Sequence, residues 1–138
     1  MSHTEIFQVC NTIVLPGWLA LFFFQKWRQL HYLIFGLCLS LAAVYVYILF
    51  SSPAGSLDFG SLESVKRLFE NESALLAGWI HYLVFDLLIG YWIVRDAQKH
   101  EVNRWIIIPS LFFTLMTGPF GFLTYMIIRT VKVKSLTA

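Results

Sequence analysis

Residues 78–96 read GWIHYLVFDLLIGYWIVRD, and no other stretch of the chain says as much about fold and function. They are long and apolar enough for a membrane-spanning helix, yet they hold Asp86 near the middle and His81 about a turn and a half earlier. A carboxylate at the bilayer centre costs about 2.5–3.5 kcal/mol on insertion scales, so a helix that keeps one turns it toward a partner, water or a ligand. Asp86 is therefore the first candidate functional residue.

Composition supports a membrane setting. The 138 residues are 58% hydrophobic and 13% charged, with a mean hydropathy of +0.69, whereas a soluble domain carries about 25% charged residues. The charges cluster and leave apolar runs at 6–24, 30–50, 74–94 and 105–129, each near the ~20 residues needed to cross the hydrocarbon. A transmembrane barrel would need about eight alternating strands, a pattern these Leu-, Ile- and Phe-rich runs lack. The expected fold is all-α: one domain over residues 1–138, an integral membrane four-helix bundle of up-down topology. No basic residue precedes the first run and no small-residue cleavage pattern follows it, so it reads as a retained helix rather than a signal peptide.

Between the second and third runs, SSPAGS at 51–56 is a turn signal. Residues 61–72 follow it as a short amphipathic interfacial helix, with Leu62, Val65, Leu68 and Phe69 on one face and Ser61 as N-cap. Pro16-Gly17 predicts a kink in the first helix, and Gly118-Pro119-Phe120-Gly121 interrupts the fourth before it resumes toward Arg129. Lys and Arg divide five against five between the two sides of such a bundle, so the positive-inside rule returns a tie. A net charge of +2 with no basic stripe points away from nucleic acid. Cys10 and Cys38 fall at depths roughly 9 Å apart in antiparallel helices, too far for a disulfide.

Counting ~1.5 Å per residue from the termini places Asn11, Thr12, Tyr45 and His81 in one polar layer, with Pro16, Ser40, Asp86, Thr117 and Gly118 in the next. The simplest construction is a polar-bottomed pocket with residues 51–73 as its lid. Asp86 and His81 are its candidate catalytic groups, and Asn11, Thr12, Trp18, Tyr45, Trp79, Tyr82, Thr117 and Gly118 its candidate lining. His81 lies about 140° around the helix from Asp86, which argues against a shared metal. Plainer readings stay open: Asp86 as a bond that holds the bundle together, His81 as a structural histidine, the Gly-Pro breaks as packing kinks. Asp96 and His100, among Arg95, Lys99 and Arg104, read as a solvated salt-bridged turn rather than a metal pair. The sequence holds no nucleophile elbow, phosphate loop or HExxH.

Four stretches, NTIVLPGW at 11–18, SLESVKRLF at 61–69, ALLAGWIHYLVFDLLIGYWIVRDA at 74–97 and IPSLFFTLMTGPFGFLTY at 108–125, resemble the abscisic-acid-deficient-four-like family of small membrane proteins. Ser110 stands where the family often carries Cys and is assigned no role. Plant members of that family are required for neoxanthin formation. The resemblance implies a carotenoid-type hydrophobic ligand in a multi-pass protein of a bacterial-type inner membrane or a plastid-type membrane. It also implies a protein that binds a carotenoid or modifies one, by isomerising or by cleaving an end group. In the isomerase reading Asp86 protonates an epoxide oxygen while His81 accepts a proton from carbon, with no cofactor; the oxygenase reading would use non-haem iron. The alternatives are a scaffold or assembly factor for a partner enzyme, a homo-oligomer, and a proton or solute pathway through Asp86.

Overall fold

The computed structural model describes residues 1–51 and 58–134; the turn signal at 52–56 lies outside them. Six helices and no strand occur among the described residues: α1 (His3–Phe23), α2 (Leu30–Ser51), α3 (Leu62–Phe69), α4 (Glu72–Lys99), α5 (Arg104–Thr117) and α6 (Pro119–Val133). By length and composition α1, α2 and α4 can each cross a membrane. Local chemistry sets their starts. Ser2 and Glu5 form a reciprocal capping box on α1, Asn71 accepts from the Ser73 and Ala74 amides at α4, and Ser61 caps the amphipathic α3 as expected.

The 28-residue α4 touches every other helix. Its small residues are where neighbours come closest, as packing without a hydrophobic drive requires. A Cβ on Gly90 would meet Trp18 and Leu21 of α1 at 3.0 Å, and one on Gly78 would meet the Phe69 ring of α3 at 2.6 Å. From the other side, Gly17 of α1 leaves space for Leu37 of α2 and Leu87 of α4. α1 stays continuous through Pro16. Both cysteines are free, Cys10 on α1 and Cys38 on α2.

The fourth run departs from expectation. Instead of one helix over 105–129 there are two, meeting at Gly118, whose φ of +54° and ψ of −92° reverse the chain. Gly121 lies directly against the Thr114 amide nitrogen and the Ser110 carbonyl, and the Phe113 and Phe120 ring centroids are 4.8 Å apart. α6 therefore folds back along α5, and it carries Tyr125 and Arg129 to Asp96 and Lys132 to the Glu101 carbonyl. With 14 and 15 residues the two helices are about 21 and 22 Å long, short of the ~30 Å hydrocarbon core. A hairpin takes the place of the fourth span. The reason is local: Gly118 holds a positive φ without a Cβ penalty, and Pro119, at the first position of α6, restarts a helix rather than bending one.

The hairpin also segregates charge. Lys26, Arg28, Arg95, Lys99, Arg104, Arg129, Lys132 and Lys134 gather at one end of the molecule, hereafter the basic end. Only Lys66 and Arg67 lie toward the other, where His3 of α1 meets Glu72 and Ser73 of α4 at 3.3 and 3.1 Å. The five-to-five tie assumed a straight fourth helix and disappears with it.

A methyl group on Gly121 has nowhere to go, because its neighbours are backbone atoms, whereas a Cβ on Gly36 meets nothing within 4 Å. Gly121→Ala should open the α5–α6 pair and lower the unfolding midpoint of the detergent-solubilised protein by the equivalent of about 1–3 kcal/mol. Gly36→Ala should leave it unchanged or raised. Equal midpoints for the two variants would contradict the hairpin packing.

Candidate functional site

Asp86 lies on α4 opposite the apex of the hairpin and is 9% exposed. Its Oδ1 is 2.5 Å from where a Gly118 Cβ would stand, so glycine is required there on two counts, by contact and by φ. The carboxyl faces the N-terminus of α6, the positive end of that helix dipole, which compensates a buried anion as broken helices do elsewhere in membranes. Its second oxygen, Oδ2, is buried without a hydrogen-bond partner. Oδ1 thus lies against the apex, and Oδ2 is turned away from it.

Tyr82, one turn earlier on the same face, interacts with the carboxyl. Trp79 stacks on Tyr82 with centroids 5.8 Å apart, and Phe7 of α1 lies 5.5 Å from Trp79. The Trp79 indole also donates to Asn11 Oδ1 at 2.9 Å, which ties α4 to α1. Phe7, Trp79 and Tyr82 form an aromatic ladder that runs down α4 to Asp86. Trp79 is 41% exposed and Tyr82 half-buried, so the ladder presents ring surface to the surroundings.

The remaining candidates do not converge. His81 is exposed on another face of α4, its ring 4.6 Å from Phe85 and 6.0 Å from Tyr45 of α2. It is not brought to Asp86, as their angular separation foretold. Thr12 and Thr117 are exposed and bond back to the carbonyls of Gln8 and Phe113 on their own helices. Trp18 is buried beneath Gly90. None of the cavities described below or at the α1–α2 groove (His3, Cys10, Tyr47) is lined by Asp86. The site is a buried carboxyl at the foot of an aromatic ladder, and α3 packs over Gly78 above it.

The Asp96–His100 turn is the second departure. Asp96 Oδ2 accepts from Tyr125 Oη and Arg129 Nε, each at 2.6 Å, and lies 3.4 Å from His100 Nδ1. The Arg129 side chain is 4% exposed and that of Asp96 11%. This is a buried network fastening the end of α6 to α4, not a solvated turn. Reading α6 as leaving toward the other face put Tyr125 and Arg129 out of reach, and no local signal marked them as partners. Iron does not fit the residues present: among those described no three His, Cys, Asp or Glu side chains group as metal ligands.

A sequence model described as ABA DEFICIENT 4-like matches residues 5–125. No curated protein and no solved structure matches the chain.

The Asp96 network makes an asymmetric prediction. Arg129→Met leaves a buried carboxylate without its cation and should cost about 3–5 kcal/mol in thermal unfolding of the purified protein. The double variant Asp96→Leu with Arg129→Met removes both charges and should recover much of that loss. A double variant no more stable than the single one would show that the ion pair does not bear on the docking of α6.

Proposed function

Because the chain belongs to the ABA DEFICIENT 4-like family, we propose that it is a multi-pass membrane protein that holds a carotenoid-type polyene against the Phe7–Trp79–Tyr82 ladder, with Asp86 receiving the oxygenated end group. The observation that carries this reading is the Asp86 carboxyl, buried on α4 beside Tyr82, with an Oδ2 that meets no donor at hydrogen-bond geometry. Burying such an atom without a hydrogen bond costs about 1–3 kcal/mol, more when it is charged. A ligand hydroxyl would satisfy it by donating, and an epoxide oxygen would do so by accepting when Oδ2 carries the carboxyl proton. The ring faces above it suit a conjugated chain, and the exposed apolar surface around them keeps that chain in a lipid-like setting.

Chemistry at this site narrows to what one carboxyl can do. Protonated, Asp86 donates to the ligand oxygen; ionised, it accepts from a ligand hydroxyl. The isomerase scheme needs a base on the other side of the reacting carbon, and His81, facing Tyr45 and Phe85, does not fill that place. Binding and orientation of the end group is thus the better supported activity, with proton donation from Asp86 as its catalytic extension.

Orientation follows from the charge distribution. Three crossings by α1, α2 and α4, with α5 and α6 as a re-entrant hairpin, set the N-terminal residues and the end of α6 on opposite sides. Eight of the ten Lys and Arg occupy the basic end, which the positive-inside rule assigns to the cytoplasmic or equivalent side.

Two experiments test these points. In a carotenoid-producing host, wild type should retain pigment through mild detergent purification, and Asp86→Leu should retain about tenfold less or lower at a temperature well below the unfolding midpoint of either protein. His81→Ala should retain the wild-type amount. Full pigment in Asp86→Leu, or a loss of pigment only in step with a loss of stability, would reduce Asp86 to a structural contact. Separately, reporters fused before residue 1 and after residue 138 should label on opposite sides of the membrane; labelling on the same side would restore an even number of crossings.

A further inference from the structure

At the basic end a cavity of about 760 Å³ opens between the α1–α2 turn, the end of α4 and the start of α5. Lys26, Arg28, Arg95 and Arg104 line it against a single carboxylate, Glu101. Positive charge at a membrane surface does not by itself make a site. Buried, unmet donors do: Gln25 lines the same cavity at 5% exposure with an Nε2 that has no hydrogen-bond partner, and Arg104 Nε is likewise buried and unpartnered. The segments that carry both groups are tied to their neighbours. The Gln25 backbone carbonyl accepts from Gln98 Nε2 at 2.6 Å, Arg95 Nη1 donates to Gln98 Oε1 at 3.2 Å, and Arg104 Nη2 reaches the Phe22 backbone carbonyl at 3.4 Å. A frame that holds two unmet donors, one of them on Arg104, beside three further cations suits an acceptor-rich anion.

The surroundings define what carries that anion. A second cavity of about 550 Å³ shares Gln25, Lys26, Trp27 and Arg104 with the first and adds Phe23 and Phe24. Both phenylalanine rings are exposed, and they stand where α1 leaves its apolar run. The polar cavity therefore continues into an aromatic groove at the level of a membrane interface. We infer that the basic end is a binding site for a phosphate group carried by an amphiphile, with Gln25 and Arg104 bonded to phosphate oxygens. Lys26, Arg28 and Arg95 neutralise the charge, and Phe23 and Phe24 face the apolar tail. This site shares no residue with the Asp86 site and stands whether or not that reading holds.

The experiment uses the full chain in detergent, with native mass spectrometry and thermal unfolding in the presence of dioleoyl phosphatidic acid, dioleoyl phosphatidylcholine or sodium pyrophosphate. Phosphatidic acid should stay bound and raise the midpoint, and phosphatidylcholine should do neither. Gln25→Leu replaces the unmet donor with an apolar chain of similar size. It should keep or raise the midpoint without lipid while weakening phosphatidic acid about tenfold. The exposed pair Lys26→Gln with Arg28→Gln, which cannot disturb the core, should weaken it by about fivefold for each charge removed. Stabilisation by pyrophosphate alone, lost in Gln25→Leu, would support the phosphate site and assign it a soluble ligand in place of a lipid. Equal retention of the two lipids would overturn the inference. So would a loss seen in the charge variant but not in Gln25→Leu, because that leaves only general surface attraction.

Discussion

Hydrocarbon offers a backbone no water, so a helix that stops partway through a bilayer must find partners for its loose ends within the protein. With α5 and α6 re-entrant, as proposed, the stop is at Gly118, and the carboxyl of Asp86 stands at the positive end of the helix that begins there. The hairpin supplies some of its own closure: the Gly118 amide bonds back to Thr114, and the Gly121 and Phe122 amides bond to the Gly118 carbonyl. Asp86 adds the anion that the dipole favours, and Gly118 and Gly121 let helix, helix and carboxyl approach more closely than any side chain would allow.

The far ends of the hairpin face the complementary problem, charges instead of bare backbone. Arg129 enters a buried position where Asp96, itself bonded by Tyr125, and His100 meet it, and Lys132 is held by the Glu101 carbonyl. An apex pinned by an acid and a base pinned by an ion pair keep α5 and α6 against α4. The apex sets Asp86 below the aromatic ladder, and the return of α6 brings Arg129, Lys132 and Lys134 to the side where Lys26, Arg28 and the cations of the α4–α5 turn already stand.

Depth along a helix proved readable from residue counts. Tyr45 and His81 were assigned to one layer and their rings are 6.0 Å apart; Asp86 and Gly118 were assigned to the next and they touch. That ruler worked for Gly118 because α5 runs in the direction a straight fourth helix would have taken, and only α6 turns back. Rotation about each helix was less accessible. Thr12, assigned to the layer of His81, and Thr117, assigned to that of Asp86, are both exposed and bonded to their own backbone, and Trp18 fills the space beside Gly90. A hydroxyl that can satisfy itself within its helix gives no sign of which neighbour it faces.

Apolar run length, capping residues and the amphipathic face of α3 are local properties, and they sufficed to establish an all-helical, membrane-like chain, its helix starts and the singular position of Asp86. Whether the last run crosses or returns is not local. Gly-Pro permits either a kink or a reversal at similar local cost, and the choice rests on Gly121 meeting the Ser110–Thr114 backbone and Arg129 meeting Asp96. Those contacts join residues far apart in the chain, so the buried ion pair and the basic cavity emerge only once the helices are packed.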